Sequence, residues 1–131
     1  MMNETEVSQW ITEFLDCFAA AGRGERDAAS MLEYYGVPLM LTTDESFSPL
    51  TDDEQVTGLI QSLLDGAGED YDHSAVLESK ATALNATSAL YRAAYSRQRR
   101  DGSEINKLTV TYLVTDGAVG RRITALAVES Q

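Results

Sequence analysis

A single cysteine, Cys17, stands among the 131 residues, so no disulfide can form within the chain. It falls inside a helical pattern, where a buried inert thiol is the plain expectation. A single histidine, His73, excludes a histidine-based metal cluster. With Asp70 and Asp72 beside it, it reads as a solvated residue in a polar connection. No apolar run approaches the roughly 18 residues that a membrane helix needs. Met1 to Glu6 are acidic and polar, unlike a basic then apolar secretory signal. These absences favour the cytoplasm and no membrane partner. Also missing are a nucleophile elbow, a phosphate-cradling glycine loop, paired cysteines at zinc spacing and a dinucleotide fingerprint. Hydrolase, kinase, zinc and NAD chemistries are disfavoured, and neither metal nor cofactor is expected.

Basic residues are scarce in the first part of the chain. Residues 1–79 hold seventeen acids against Arg23 and Arg26, a balance of −15, while residues 80–131 hold eight bases against four acids, a balance of +4. The net charge of −11 repels a polyanion, so no nucleic-acid partner is expected. The asymmetry fits a polar outer sheet face beside an acidic helical half, or a basic patch for an anionic partner.

What is present divides into helix and then sheet. The size allows one domain over residues 1–131 with a core that needs no staple. Val7, Trp10, Ile11, Phe14, Leu15 and Phe18 recur on one helical stripe. Asn3 or Thr5 caps its start, and Gly22 is expected to stop it in a left-handed conformation. A shorter helix follows from Asp27, burying Ala28, Met31, Leu32 and Tyr35, with Gly36 at its end and Pro38 preventing continuation. Leu39–Thr42 reads as a short strand, with a possible partner over Asp44–Leu50. Thr51 and Glu54 form a capping box for a third helix carrying Val56, Leu59, Ile60, Leu63 and Leu64, ended by Gly66 and Gly68. From Asp72 the period becomes that of strands: Ser74–Leu84, Ser88–Arg99, Lys107–Thr115 and Arg122–Val128, joined by short turns at Asp101-Gly102 and Asp116-Gly117. In Lys107–Thr115, Leu108, Val110, Tyr112 and Val114 share one face and threonines the other. The class is α+β, with neighbouring strands of the meander antiparallel.

Certain runs carry a resemblance. Tyr34-Tyr35-Gly36 closes the second helix before a short apolar strand. Near the end stand Thr111-Tyr112-Leu113 and Gly120-Arg121-Arg122-Ile123-Thr124-Ala125-Leu126. The latter looks like a "G-W-R-I-x-x-L" ending, with Arg121 where tryptophan is usual. With the order of elements, these runs resemble the NTF2-like superfamily over nearly the whole chain. That group includes ketosteroid isomerases and SnoaL-like polyketide cyclases, and the likeness is greatest to uncharacterised SnoaL-like members. The resemblance implies a strongly curved sheet around the first and third helices, a cone-shaped pocket and often a homodimer. It also implies a carboxylate base near Thr42–Asp44; the isomerase position falls on Thr42 or Thr43, with Asp44 adjacent. The isomerases' oxyanion tyrosine on the first helix has no counterpart, since Trp10, Phe14 and Phe18 fill that face.

Several residues are therefore candidates. Asp44 fits a general base if desolvation raises its pKa, or else is a solvated turn residue beside Glu45. Tyr35, Tyr91, Tyr95 and Tyr112, with Tyr34, are expected to line a cavity and offer hydroxyls to a ligand, or to serve as half-buried packing. Tyr91 and Tyr95 share a strand face with Ala93 and Arg97, where small residues between aromatics leave room for a ligand or a helix. Arg92 offers a two-pronged contact to an anionic ligand, or pairs across the sheet. Arg97, Arg99 and Arg100 flank a turn as a charged hairpin tip. The expected function is cofactor-free binding of a small organic molecule in a small apolar pocket. Isomerase- or cyclase-type proton transfer would then fall to Asp44 as base and a tyrosine hydroxyl polarising a carbonyl. The alternative is a non-catalytic dimeric interaction module, its pocket plugged by Trp10, Phe14, Met40 and Phe47. Thr109, Thr111 and Thr115 supply a flat face for homodimerisation through the sheet.

Overall fold

Helix α1 (Glu4–Gly22) begins where Asn3 Oδ1 accepts the Glu6 amide at 3.0 Å, leaving Glu4 and Glu6 in the first turn where negative charge is favourable. The computed structural model describes residues 1–130. At the other end the amides of Gly24 and Glu25 donate to the carbonyls of Ala21 and Ala20 at 3.1 and 2.9 Å, with Gly24 at φ 78°. This is the Schellman closure, and its left-handed residue is Gly24, not Gly22. Gly22 is small for another reason. A Cβ there would lie 2.5 Å from Cδ2 of the buried Tyr71 ring.

Ala28–Glu33 forms a 3-10 helix rather than an α-helix. The Ser30 hydroxyl bonds back to the Asp27 carbonyl at 2.6 Å, and the Asp27 side chain caps nothing. Such short-range bonding favours tight turns over a continuing α-helix. Tyr35 and Gly36, expected at a helix end, instead open β1 (Tyr35–Thr42). Gly36 lets this strand approach its neighbour, since a Cβ would meet the Ile123 carbonyl at 3.1 Å. Pro38 has no N–H, and it falls where the ladder of β1 with the last strand shifts register, between Tyr35 and Met40.

Strand β2 (Phe47–Leu50) pairs antiparallel with β1. Helix α2 (Asp53–Ala67) starts one residue later than expected. Asp52 accepts the Gln55 amide at 2.8 Å, and Gln55 Oε1 accepts the Thr51 amide at 2.7 Å. Gly68, at φ 90°, follows its last turn, while Gly66 lies within the helix.

Strands β3 (Tyr71–Ala83), β4 (Ser88–Arg99), β5 (Glu104–Gly117) and β6 (Gly120–Ser130) form the antiparallel meander. β6 then lies parallel to β1, giving the order β2-β1-β6-β5-β4-β3. The sheet is curved and unclosed, as expected of the α+β class, and the helices pack on its inner face. Val110, Tyr112 and Val114 of β5 are buried with Val7, Ile11 and Phe14 of α1, so the two periodicities meet in one core. No helix among the described residues is long and apolar enough to cross a membrane.

Candidate functional site

The helices leave a hollow of about 260 Å³ on the inner face of the sheet. Phe14, Leu15 and Phe18 of α1 form one wall, and Ser62, Leu63 and Gly66 of α2 form another. The sheet side consists of Leu108, Val110, Tyr112, Leu126 and Val128, with Tyr35 from β1 and Tyr95 from β4. Ser62, Gly66, Asn106 and Ser130 are exposed wall residues and mark the opening. Leu63 and Leu64, expected to be buried on the α2 stripe, are only half-buried, and Leu63 faces this space.

An aromatic cluster shapes the inner end. The Phe14 ring lies edge-on to Tyr35 and Tyr112, with centroids 5.4 and 5.8 Å away. Tyr35 is 3% and Tyr112 4% exposed. The Tyr95 and Tyr112 hydroxyls are 3.2 Å apart, so one donates to the other and one O–H remains for a further acceptor. Tyr35 has no hydrogen-bond partner for its hydroxyl among the described residues. Burial pushes the Tyr35, Tyr95 and Tyr112 phenols well above their ordinary value, so all three are neutral at physiological pH.

Polar groups collect near the mouth. Ser74, Arg97 and Asn106 face one another across β3, β4 and β5. Arg97 Nε donates to Asn106 Oδ1 at 2.7 Å, and Ser74 Oγ lies 2.8 Å from the Tyr71 hydroxyl. Burial lowers the Arg97 pKa from the ordinary arginine value, although arginine stays charged. Arg23, Arg26, Arg92 and Arg121 each meet a carboxylate. Arg97 meets none among the described residues.

Tyr35, Tyr95 and Tyr112 thus come together on the wall of one hollow. Tyr91 does not join them: it shares their face, but it is buried against Tyr112 at 6.2 Å, beyond the hollow. Tyr34 packs at a tilt against Trp10, ring centroids 5.4 Å apart, and sets its hydroxyl 3.4 Å from Cys17 Sγ. Arg92 points to the opposite face, where it meets Glu129 at 3.4 Å and Thr111 at 3.3 Å. Asp44 is exposed in the turn after β1 and accepts the Ser130 amide at 3.3 Å. It lines an outer groove with Arg92 and Thr111 and is not among the residues of the inner hollow. Of the four residues expected to plug the pocket, only Phe14 reaches its wall, while Met40 and Phe47 are exposed. Arg97, read both as part of a charged hairpin tip and as sharing the face of Tyr91, Ala93 and Tyr95, is a wall residue. Its signal was the alternation Tyr91, Ala93, Tyr95, Arg97.

A second hollow, about 560 Å³, lies between the Gly24–Ala28 turn and the end of α2. Its one arginine, Arg26, is already paired with Glu33. No group of three or more His, Cys, Asp or Glu among the described residues could hold a metal ion.

The model of the family described as NTF2-like protein (DUF6841) matches residues 3–131. The chain belongs to that family. Several solved structures superpose on the chain. A protein of unknown function with a cystatin-like fold from Nostoc punctiforme superposes with a TM-score of 0.72 at 13% identity, covering 92% of this chain and 88% of that one. A putative calcium/calmodulin-dependent protein kinase II association domain from Xanthomonas campestris gives 0.71 at 12%, covering 100% and 89%. An NTF2-like protein from Novosphingobium aromaticivorans gives 0.70 at 14%, covering 96% and 80%. At such identities the likeness speaks for the NTF2-like fold alone. No curated protein matches the chain.

Proposed function

We propose that this NTF2-like chain binds a small organic molecule in the hollow between α1, α2 and the sheet. Support comes from the wall, which is largely aliphatic and aromatic yet carries convergent polar groups from Tyr35, Tyr95, Tyr112 and Arg97. That combination is usual for ligand sites. The volume of about 260 Å³ sets the scale. An apolar cavity of about 150 Å³ already holds benzene, and ligand sites usually begin near 300 Å³. A single ring with short substituents fits; a steroid or a fused polyketide does not.

Proton transfer asks for a base inside the hollow. Its wall carries neither carboxylate nor imidazole, its phenols are neutral, and Asp44 lies outside. The ligand is therefore held rather than transformed. Filling the space tests this. Single-ring compounds are screened by thermal unfolding against the natural chain and Leu63→Trp. A ligand at a hundredfold excess over its Kd stabilises by about 2.7 kcal/mol, roughly 8–14 °C for a chain this long. Leu63→Trp should lose that shift, and equal shifts in both proteins would place binding elsewhere.

The outer face favours a second, compatible reading: a homodimer through the sheet. Pro49, Met40, Ala125, Leu113 and Leu90 form one cross-strand row there, beside a second row of Phe47, Thr42, Ala127, Thr111 and Arg92. Phe47 is 60% exposed. An apolar band of this kind suits a self-complementary two-fold contact. Sedimentation at micromolar concentration should give twice the chain mass, and Met40→Glu should halve it. A monomeric mass for the natural chain would end this reading.

A further inference from the structure

We infer that the ligand is an anion: a small aromatic or alicyclic monocarboxylate, its carboxylate seated on Arg97 and its ring over Leu108, Val110 and Leu126. This rests on the hollow being a ligand site. The position of Arg97 is the first reason. It stands in the Ser74–Arg97–Asn106 row at the polar end of an otherwise apolar wall. Its orientation is the second. Bonding of Nε to Asn106 fixes the guanidinium plane and leaves both terminal nitrogens without an acceptor among the described residues. Two such nitrogens, side by side, match the two oxygens of a carboxylate.

Its isolation is the third reason. The chain has 21 acidic residues against 10 Lys and Arg, yet none of those acids approaches Arg97 within ion-pair distance among the described residues. A half-buried cation without a counter-charge carries a desolvation cost that a bound anion would offset. Burial, named above as the cause of its lowered pKa, is what an unpaired guanidinium in a hollow experiences.

The far end of the ligand is specified too. Tyr95 lies two residues from Arg97 on the same strand face, about 6.6 Å along the strand. The remaining O–H of the Tyr95–Tyr112 pair, and the unpartnered Tyr35 hydroxyl, suit a hydroxyl or carbonyl on the ring opposite the carboxylate. An aliphatic chain of fatty-acid length exceeds the space.

The test is calorimetric titration of the natural chain, Arg97→Gln and Arg97→Lys with benzoate, para-hydroxybenzoate and the neutral isostere benzamide. Circular dichroism first checks that each variant is folded. On the natural chain both acids should bind at least about tenfold more tightly than benzamide. Arg97→Gln should weaken the acids by about ten- to a hundredfold while leaving benzamide within about twofold. Arg97→Lys keeps the charge but not the fork, and should fall between them. Equal binding of acids and amide, or acid affinity unchanged by Arg97→Gln, overturns the inference and leaves the ligand site standing. Failure of all three probes to bind the natural chain overturns both.

Discussion

Phe14→Ala is expected to cost about 3–5 kcal/mol of folding stability, the range for removing a large aromatic ring from a packed core. Phe14 is 2% exposed and sits within 6.1 Å, centroid to centroid, of Phe18, Tyr34, Tyr35 and Tyr112. It joins the helix to β1 and β5 at once, and the same ring walls the hollow. A domain of this kind has roughly 5–15 kcal/mol to lose, so the variant should be close to unfolding at room temperature. Equilibrium denaturation in urea reads the loss. Phe14→Leu, which keeps most of the volume, should recover the greater part of it. A loss under about 1 kcal/mol for Phe14→Ala would mean that α1 is not seated on the sheet as described.

Raising the pH above 10 should unfold the chain steeply. Five phenols, those of Tyr34, Tyr35, Tyr71, Tyr95 and Tyr112, are held above the ordinary tyrosine value of 10. For Tyr34, pushed up to about 12, the hydrogen bond with Cys17 leads; for the other four, burial does. In the unfolded chain these groups lose protons from about pH 10, while in the folded chain they keep them. The folded state then binds more protons, and stability falls as the pH rises. The contribution is intact below pH 10 and is lost as the pH climbs through the raised values. Each phenol that titrates only after unfolding removes up to about 1.4 kcal/mol per pH unit. Tyr35, Tyr95 and Tyr112 together thus approach 4 kcal/mol per unit, roughly the whole stability within three units. Tyrosinate absorbance and far-ultraviolet circular dichroism should change together, and Tyr95→Phe should make the loss shallower. Gradual ionisation with the dichroism unchanged would mean that water reaches the phenols in the folded state.

Alternation in the sequence revealed which face a residue occupies more clearly than where along the strand it sits. Leu108, Val110, Tyr112 and Val114 were legible as an inner face because one row of side chains is apolar and the other is threonine. Tyr95 and Tyr112 followed from the same period. Tyr91 shares that face, yet it packs beyond the space that the helices leave open, a matter of tertiary placement that no local period encodes. For Arg92 the sequence left two readings, a ligand contact or a pairing across the sheet, and the second holds. A step of one residue from Tyr91 reverses the face, so its contacts are with Glu129 and Thr111 outside. Arg97 obeys the alternation, and only its role, tip charge or wall residue, was left to the tertiary fold. Helix boundaries blurred for local reasons: Thr51, Asp52 and Asp53 all suit a cap, and only the bond from the Gln55 amide decides among them. Tyr35 and Gly36 looked like a helix end until the close approach of β6 explained the glycine. The resemblance points to Asp44, but a turn residue's distance from a hollow is set by strands far away in sequence.

Methyl NMR of leucine- and valine-labelled protein, followed through a benzoate titration, bears most directly on whether the enclosed space admits a ligand. Shifts should concentrate on Leu63, Leu108, Val110, Leu126 and Val128, and leave Leu90 and Leu113 of the outer face unmoved. Spectra that stay constant at saturating benzoate, or that move at Leu90 and Leu113 instead, would contradict the account.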